Sequence, residues 1–387
     1  MQPNQVRYTN QRAILSVLAF SPGLSNADIA RRTGLAPQTV SSVLDGLEAA
    51  GLLLRGPVRR GGGRGQPATP LYPNPEGALA LGAEIGWRHL EVAITNLVGQ
   101  VIAHNRVEYD YPDPDTVFGT LKDMLGTLTG PLSADARARI LGLGVAAPNG
   151  IGDASSLLPP PQTVKGTWTG VDIAREAASI TGYDVQVFND GNAACFAELT
   201  ATPSPRPGDF AFLLLDTFVA AGIIAEDHLW EGVTGASANL GSMLVVDRAG
   251  TPRFVHEVAS LTALGARLDA AGSRLADAFD DEPSELTQTV LAEWIEDAST
   301  ALAQVILNTA TVIEFDFAVI ESRLPAATLQ RIVDATSRRM LDFPSLVRST
   351  PAVRVGHVGR PAAAQGAAQM RMYRRFYSRE LADMEDN

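Results

Sequence analysis

The chain has 387 residues, of which 45% are hydrophobic and 19% charged, enough material for two or three globular domains. No apolar run approaches the roughly 20 residues of a membrane-spanning helix, and the first residues do not resemble a secretory signal. The single cysteine excludes an internal disulfide and a multi-cysteine metal cage. We therefore expect a soluble cytoplasmic protein.

Charge is divided unevenly along the chain. Residues 1–75 carry eight arginines and three acidic residues, whereas the remaining residues carry 23 basic and 40 acidic side chains. A basic N-terminal segment on an acidic body can bind nucleic acid even when the whole chain is acidic. Composition alone does not distinguish a nucleic-acid-binding segment from a solvated domain that is enriched in arginine by chance.

Three short helices are predicted in the N-terminal segment. Thr9 is expected to cap a helix ending at Phe20, and residues 25–28 have the pattern of the cap and first turn of a second helix. Pro37 suits the first turn of a third helix. The apolar positions of this third helix recur at helical spacing: Val40, Val43, Leu44 and Leu47.

A glycine- and arginine-rich stretch, residues 55–67, separates two predicted strands at residues 52–54 and 71–72. Three helices and such a hairpin predict a winged helix-turn-helix that binds double-stranded operator DNA. The third helix would enter the major groove, and the wing would contact phosphates or the minor groove. A winged helix used for protein contacts is the alternative. The predicted DNA contacts are Pro37, Gln38, Thr39, Ser41, Ser42, Arg59, Arg60, Arg64 and Gln66.

The rest of the chain alternates predicted strands and helices. One set lies between residues 79 and 188, and a second, similar set between residues 210 and 372. Residues 104–115 look like a surface connection. Two similar halves of this kind indicate a duplicated α/β fold.

Several motifs occur together in a fixed order, at residues 27–35, 39–41, 63–67, 71–74 and 80–86. In this order and spacing they resemble regulators of the ROK family (repressors, open reading frames, kinases), and the resemblance continues to about residue 371. It implies an α/β protein with a winged helix-turn-helix at residues 1–77. A duplicated actin-like (ribonuclease H-like) ROK domain would follow at residues 78–387, with a sugar cleft between two lobes near residues 189–190.

The family's kinases bind ATP through loops that are altered in this chain. Their first phosphate loop reads Asp-x-Gly-Gly-Thr, whose glycines admit phosphates close to backbone N–H groups, and here residues 84–88 read Glu-Ile-Gly-Trp-Arg. Residues 216–222 and 321–323 depart from the second phosphate loop and from the double glycine near the adenosine. We therefore expect no enzyme activity and no cofactor. An active sugar kinase with a fused DNA-binding head is the alternative.

A metal site is not expected either. Family members with a structural zinc use one histidine and three clustered cysteines, and residues 239–242 and 249–254 carry neither at the matching places. Zinc needs about four ligands at tetrahedral spacing. The five histidines are scattered without such spacing.

Part of the family's sugar site is retained in residues 188–194. In the kinases the aspartate of this segment, here Asp190, takes a hydroxyl proton. Here we expect it to accept a hydrogen bond, or alternatively to cap the following helix. Asn239 stands at one family glutamate, and His256, beside Glu257, at another. The residues predicted to bind a sugar or sugar derivative are Asn149, Asn189, Asp190, Asn239, His256 and Glu257.

Together these features predict a transcriptional regulator, and they favour a repressor. It would act as a homodimer or higher homo-oligomer on a palindromic operator. A sugar would change operator binding through its different affinities for two conformations of the protein. Inducer and co-repressor use this linkage with opposite sign, so both stay open. A ligand-independent DNA-binding protein is the remaining alternative.

Overall fold

The structure, a computed structural model, describes residues 3–58, 69–151, 158, 168–202, 208–226, 228–344 and 349–377, with only the backbone for residues 3–6. The predicted wing contacts Arg59, Arg60, Arg64 and Gln66 lie outside the described residues. None of the helices that are described combines the length and apolarity needed to cross a bilayer.

The N-terminal unit, called the head below, is a winged helix-turn-helix. Its elements are α1 (Pro3–Phe20), α2 (Asn26–Thr33), α3 (Pro37–Ala49) and the antiparallel strands β1 (Leu53–Arg55) and β2 (Leu71–Pro73). The apolar stripe predicted for α3 faces inward and packs with α1 and α2. These buried side chains are Ile14, Leu15, Leu18, Ile29, Val40, Val43, Leu44 and Leu47.

A capping box begins α2 and a glycine ends it. The Ser25 hydroxyl accepts from the backbone N–H of Asp28 (3.2 Å), and the Asp28 carboxylate accepts from the backbone N–H of Ser25 (3.1 Å). This reciprocal pair is a capping box. Gly34 ends the helix in the left-handed region, at φ 64°, where glycine carries no steric penalty.

The first lobe of the body, which is the chain after the head, contains a five-stranded sheet. Its elements are β3 (Leu79–Ile85), β4 (His89–Asn96), β5 (Val101–Glu108), α4 (Pro114–Thr129), α5 (Ala134–Ala138), β6 (Ile140–Ala147), α6 (Ile173–Thr181) and β7 (Val185–Asn189). The strand order is β5–β4–β3–β6–β7, in which β5, β4 and β3 are antiparallel neighbours and β6 and β7 continue in parallel.

The expectation that residues 104–115 form a connection is wrong for residues 104–108. Strand β5 continues to Glu108, which pairs with His89 of β4. Because β5 is an edge strand, polar residues such as His104 and Asn105 reach solvent, and the apolar alternation that marks a strand is missing.

The second lobe repeats the arrangement of the first. Its elements are α7 (Asp190–Ala201), β8 (Phe210–Leu215), β9 (Val219–Ala225), β10 (His228–Leu229), β11 (Leu244–Val246), β12 (Pro252–Phe254), α8 (Val255–Ala259), α9 (Leu261–Ala271), α10 (Glu285–Val312), β13 (Phe317–Ser322), α11 (Ala326–Met340) and β14 (Ala352–Val355). The last helix, α12 (Ala362–Phe376), returns to the first lobe and packs on its sheet. The order β10–β9–β8–β13–β14 has the same antiparallel and parallel pairs as the first sheet. The predicted duplicated, actin-like α/β fold is confirmed.

Helix α12 packs tightly on both α7 and β3. A Cβ atom at Gly366 would lie 1.7 Å from the carbonyl oxygen of Ala193, and one at Gly82 would lie 1.9 Å from that of Ala364. Only glycine fits such approaches. The position of α12 is therefore tied to that of α7, which begins at Asp190.

The other end of α12 holds the head. The Tyr8 hydroxyl donates to the carbonyl of Arg375 (2.7 Å), and Arg12 Nε donates to the carbonyl of Tyr377 (2.5 Å). These contacts stabilise α1 well before its apolar stripe begins. The prediction that Thr9 caps α1 is therefore wrong, because the helix begins at Pro3 and Thr9 lies inside it.

Candidate functional site

A cavity of about 90 Å³ lies between the two lobes. The residues that line it come from segments far apart in the sequence, including the end of β6, the junction of β7 and α7, and α8. Five of the six side chains predicted to bind sugar lie along this cavity: Asn149, Asn189, Asp190, Asn239 and His256.

Asn189 and Asp190 share the start of α7. The Asn189 side-chain oxygen accepts from the backbone N–H of Asn192 (2.9 Å) and so caps the helix. Asp190 Oδ1 accepts from the backbone N–H of Gly191 (2.8 Å) and from Asn189 Nδ2 (2.9 Å). Burial, and next the charge of Glu84, raise the pKa of Asp190 to about 7. The capping role therefore belongs to Asn189, while the Asp190 carboxyl group faces the cavity.

Asn149 and Asn239 contribute amides from opposite sides. Asn149 Nδ2 donates to the carbonyl of Ala236 (3.2 Å), which joins the turn after β6 to the second lobe. Asn239 precedes a single 3₁₀ turn at residues 240–242 but makes no capping hydrogen bond with its side chain. Amides in these positions can donate to and accept from sugar hydroxyls.

His256 lies in α8 and is buried, with 9% of its surface exposed. Its Nδ1 accepts a hydrogen bond from the backbone N–H of Val219 (3.1 Å). Burial lowers the pKa of His256 to about 4, so the ring is neutral at physiological pH.

Glu257 requires a correction, because it does not line the cavity. It is exposed, and its carboxylate accepts from the backbone N–H of Phe254 (2.8 Å) at the start of α8. Adjacent residues on one helical turn point in different directions. With His256 directed inward, Glu257 is directed away, and we remove it from the candidate ligand set.

A buried charged cluster, two members of which line the cavity, was missed by the sequence analysis. Glu84 Oε1 lies 3.1 Å from His89 Nε2, and Glu91 Oε2 lies 3.1 Å from Arg106 Nη1. Burial opposes both charges of the first pair, yet the mutual attraction lowers the pKa of Glu84 and raises that of His89. In the sequence His89 is one of five scattered histidines. Its proximity to Glu84 arises from the turn between β3 and β4, which no spacing rule for ligands marks.

The same cluster contains the described residues best placed to hold a metal ion. Ligand atoms of Glu84, His89 and Glu91 lie within 4.8 Å of one another. However, Glu84 is already paired with His89, and Glu91 is paired with the guanidinium of Arg106. Both carboxyl groups therefore already have partners within the protein.

Bulky side chains lie in the three segments that the family resemblance matches to nucleotide-binding loops. Trp87, in the turn between β3 and β4, meets Phe218, in the turn between β8 and β9, edge to face with ring centroids 5.2 Å apart. Arg323, from the third altered segment, lies with its Nε 3.2 Å from Asp216 Oδ1 and its Nη1 3.4 Å from Glu108 Oε1. All three altered segments thus contact residues from other loops or strands of the body.

The head presents the predicted reading helix on its surface. Pro37, Gln38 and Ser42 are exposed, while Thr39 and Ser41 are half-buried. Ser41 Oγ accepts from Asn26 Nδ2 (2.9 Å), so it also positions α3 against α2.

Arg55, one of the eight arginines of the basic segment, is engaged within the head. Its guanidinium contacts Glu48 (2.8 Å) and Asp45 (3.2 Å) of α3. This charge is partly neutralised, and it is less available to DNA phosphates than the sequence count implies.

Two family profiles match this chain. The ROK family profile matches residues 80–372. The chain belongs to the ROK family. The MarR family profile matches residues 8–62, within the head.

Curated relatives include an uncharacterised protein and several repressors. An uncharacterised protein, y4fQ, of Sinorhizobium fredii is 26% identical over 97% of this chain and 93% of its own length. The xylose repressor of Bacillus subtilis is 23% identical over 62% of this chain and 61% of its own length. The alignment with the repressor therefore spans less than two thirds of either protein.

Solved structures of two functional kinds share this fold. A ROK family transcriptional regulator, described as a homolog of the E. coli MLC protein, has a TM-score of 0.66 at 17% identity and covers 96% of this chain and 98% of its own. A ROK family glucokinase from Streptomyces griseus has a TM-score of 0.58 at 15% identity, covering 76% of this chain and 99% of its own. The regulator therefore matches head and body together.

Proposed function

We propose that this ROK protein is a sugar-responsive transcriptional repressor without enzyme activity. The observation that carries the proposal is the combination of a winged helix-turn-helix with a cleft that keeps polar sugar-site residues but fills the phosphate loops with aromatic side chains. The xylose repressor relatives support the same assignment. The ligand is a sugar or sugar derivative, and the partner is double-stranded operator DNA.

Helix α12 supplies a route between cleft and head. Ligand contacts at Asp190 act on the start of α7, and α7 is locked to α12 by the approach of Gly366 to Ala193. The end of α12 binds α1 through the carbonyls of Arg375 and Tyr377. A ligand that prefers one lobe arrangement therefore shifts the head, and a homodimer converts this shift into a changed spacing of two reading helices.

DNA binding can be tested with fluorescence anisotropy on DNA from the region upstream of the protein's own gene. Replacing Arg59, Arg60 and Arg64 together by alanine should weaken binding and reduce the log–log salt slope by about one unit per lost phosphate contact. As a matched control, Arg137, Arg331 and Arg338, exposed on the body, are replaced by alanine; this change removes the same charge and should leave the slope nearly unchanged. Equal effects of both triple variants would exclude the wing from the interface.

A sugar kinase is the second candidate function. It is favoured by Asp190, which is retained at the position of the kinase base and lines the cavity, and by the fold shared with a glucokinase. The two candidates differ in ATP turnover, because only a kinase would release ADP in the presence of sugar and Mg²⁺.

A further inference from the structure

Three aromatic rings form a continuous row across the cleft. Trp87 belongs to the first lobe, and Phe218 and His256 to the second. The ring centroids of Trp87 and Phe218 are 5.2 Å apart, and those of Phe218 and His256 are 5.7 Å apart, both edge to face. All three line the cavity that holds Asp190, and each is at least nine-tenths buried.

The hydrogen bonds of His256 fix its tautomer. Because Nδ1 accepts from the backbone N–H of Val219 at 3.1 Å, it carries no proton. In a neutral ring the proton must then be on Nε2. Nε2 lies 3.4 Å from Ser242 Oγ, which also lines the cavity. The ring is held in place on another side by Gly241, since a Cβ there would lie 2.2 Å from His256 Cε1.

A donor at this place changes what the cavity recognises. The sequence resemblance places a glutamate here, which can only accept hydrogen bonds when ionised, whereas His256 can only donate from Nε2. A ligand atom that shares or replaces the Ser242 hydroxyl oxygen at Nε2 must therefore be an acceptor. Three carboxyl groups line the cavity, those of Glu84, Asp190 and Asp216, and no lysine or arginine is among the described residues that do so. Glu84 is paired with His89 and Asp216 with Arg323, so the Asp190 carboxylate is the group that would repel an anionic ligand.

On the basis of the proposed function, we propose that Trp87, Phe218 and His256 together bind an uncharged sugar selectively. His256 donates from Nε2 to an oxygen of the sugar, and the Trp87–Phe218 contact closes the lobes over it where kinases of this fold use a nucleotide. Cleft closure then does not depend on ATP, and the cavity disfavours sugar phosphates because no lysine or arginine is among the described residues that line it. Phe218 links lobe closure to sugar binding, because its ring contacts the rings of both Trp87 and His256.

The tautomer is tested without any ligand by ¹⁵N NMR of the histidine-labelled full chain at pH 7. The signals missing from His256→Gln identify the residue. We expect Nε2 to be protonated, Nδ1 to be unprotonated, and this state to persist down to about pH 5. A protonated Nδ1, or an imidazolium at pH 7, would overturn the donor role.

The closing contact is tested by a double-mutant cycle of Trp87→Leu and Phe218→Leu in thermal unfolding of the ligand-free chain. We expect the change in free energy of unfolding in the double variant to differ from the sum of the changes in the two single variants. An additive result would contradict the contact. The matched control is Phe118→Leu, because Phe118 pairs with Trp168 (5.7 Å) within the first lobe and does not line the cavity between the lobes.

Calorimetry of the full chain with D-xylose, D-glucose and D-glucose 6-phosphate tests the reading role. Trp87→Leu should weaken binding of the uncharged sugar about three- to tenfold, and Phe118→Leu should leave it unchanged. Tighter binding of the phosphate, or no loss in Trp87→Leu, would overturn the inference. If none of the three compounds binds and none alters operator binding, the proposed function fails instead. The NMR and unfolding results then still test the tautomer of His256 and the contact between Trp87 and Phe218.

Discussion

Asp190 is the residue whose ionisation the cavity controls most clearly. Burial and the neighbouring Glu84 raise its pKa to about 7. Because an ionised carboxylate accepts a sugar hydroxyl more strongly than a neutral acid, we expect sugar affinity to rise between pH 6 and pH 8, by at most about tenfold. Calorimetry at both pH values measures the change. Asp190→Asn cannot ionise and should give a flat profile; a parallel rise in the variant would assign the effect to another group.

The same shift predicts how stability depends on pH. The pKa of Asp190 is raised from 3.8 to about 7 on folding, so the folded state loses stability as pH rises from about 4 to 7. Asp190→Asn removes this loss. The free energy of unfolding of Asp190→Asn minus that of the wild type should therefore be larger at pH 8 than at pH 5, by ~2–3 kcal/mol at most. Urea unfolding at the two pH values checks the sign, and a larger advantage at pH 5 would refute it.

The candidate site residues come both from one local motif and from distant segments, and the fold brings Asn149, Asn239 and His256 to the same cavity as the motif. Asn189 and Asp190 form one motif and meet the cavity together. Glu84 and His89 are ion-paired across a turn, and the sequence contains no periodic signal for this pair. The pattern marked Trp87 as an obstacle to phosphates, but only the fold reveals that Phe218 is its partner.

Helix α12 is the element whose contacts we expect to carry the response. Tyr8→Phe removes the hydroxyl that donates to the carbonyl of Arg375 while keeping the ring. Sugar affinity should be unchanged, whereas the effect of saturating sugar on operator affinity should fall several-fold, because coupling and binding are separate free energies. Anisotropy with and without sugar gives this ratio. Tyr183→Phe, half-buried in the first lobe, is the control, and equal coupling in both variants would remove α1 and α12 from the route.

Elements were predicted well where local signals and burial agree. The capping box fixes the start of α2, and the stripe of α3 matches its buried face. The errors arose where distant contacts decide. Helix α1 extends to Pro3 and is bound by the end of α12, more than 350 residues away in the chain. No local pattern can encode such a contact.

At the scale of the whole molecule, the two lobes keep the fold of a kinase but meet through direct protein contacts. Trp87 touches Phe218, Arg323 contacts Glu108, and Asn149 donates to the carbonyl of Ala236. The duplication itself was visible in the repeated order of predicted strands and helices. The contacts between lobes were not, because each joins residues from different halves of the chain.

This arrangement leads to an expectation about ATP. Phosphoryl transfer depends on positioning the phosphates and neutralising their charge, and the segments that correspond by resemblance to the phosphate loops carry Trp87 and Phe218, which contact each other across the cleft. Asp190 alone cannot compensate for that loss. We expect no ATP-dependent phosphorylation of D-glucose or D-xylose above a blank, measured as ADP release with Mg²⁺ by the full chain. A ROK glucokinase assayed in parallel serves as the positive control. Sugar-dependent ADP release that disappears in Asp190→Asn would make the protein a kinase with a DNA-binding head, since only a working base at that position would link turnover to its carboxylate.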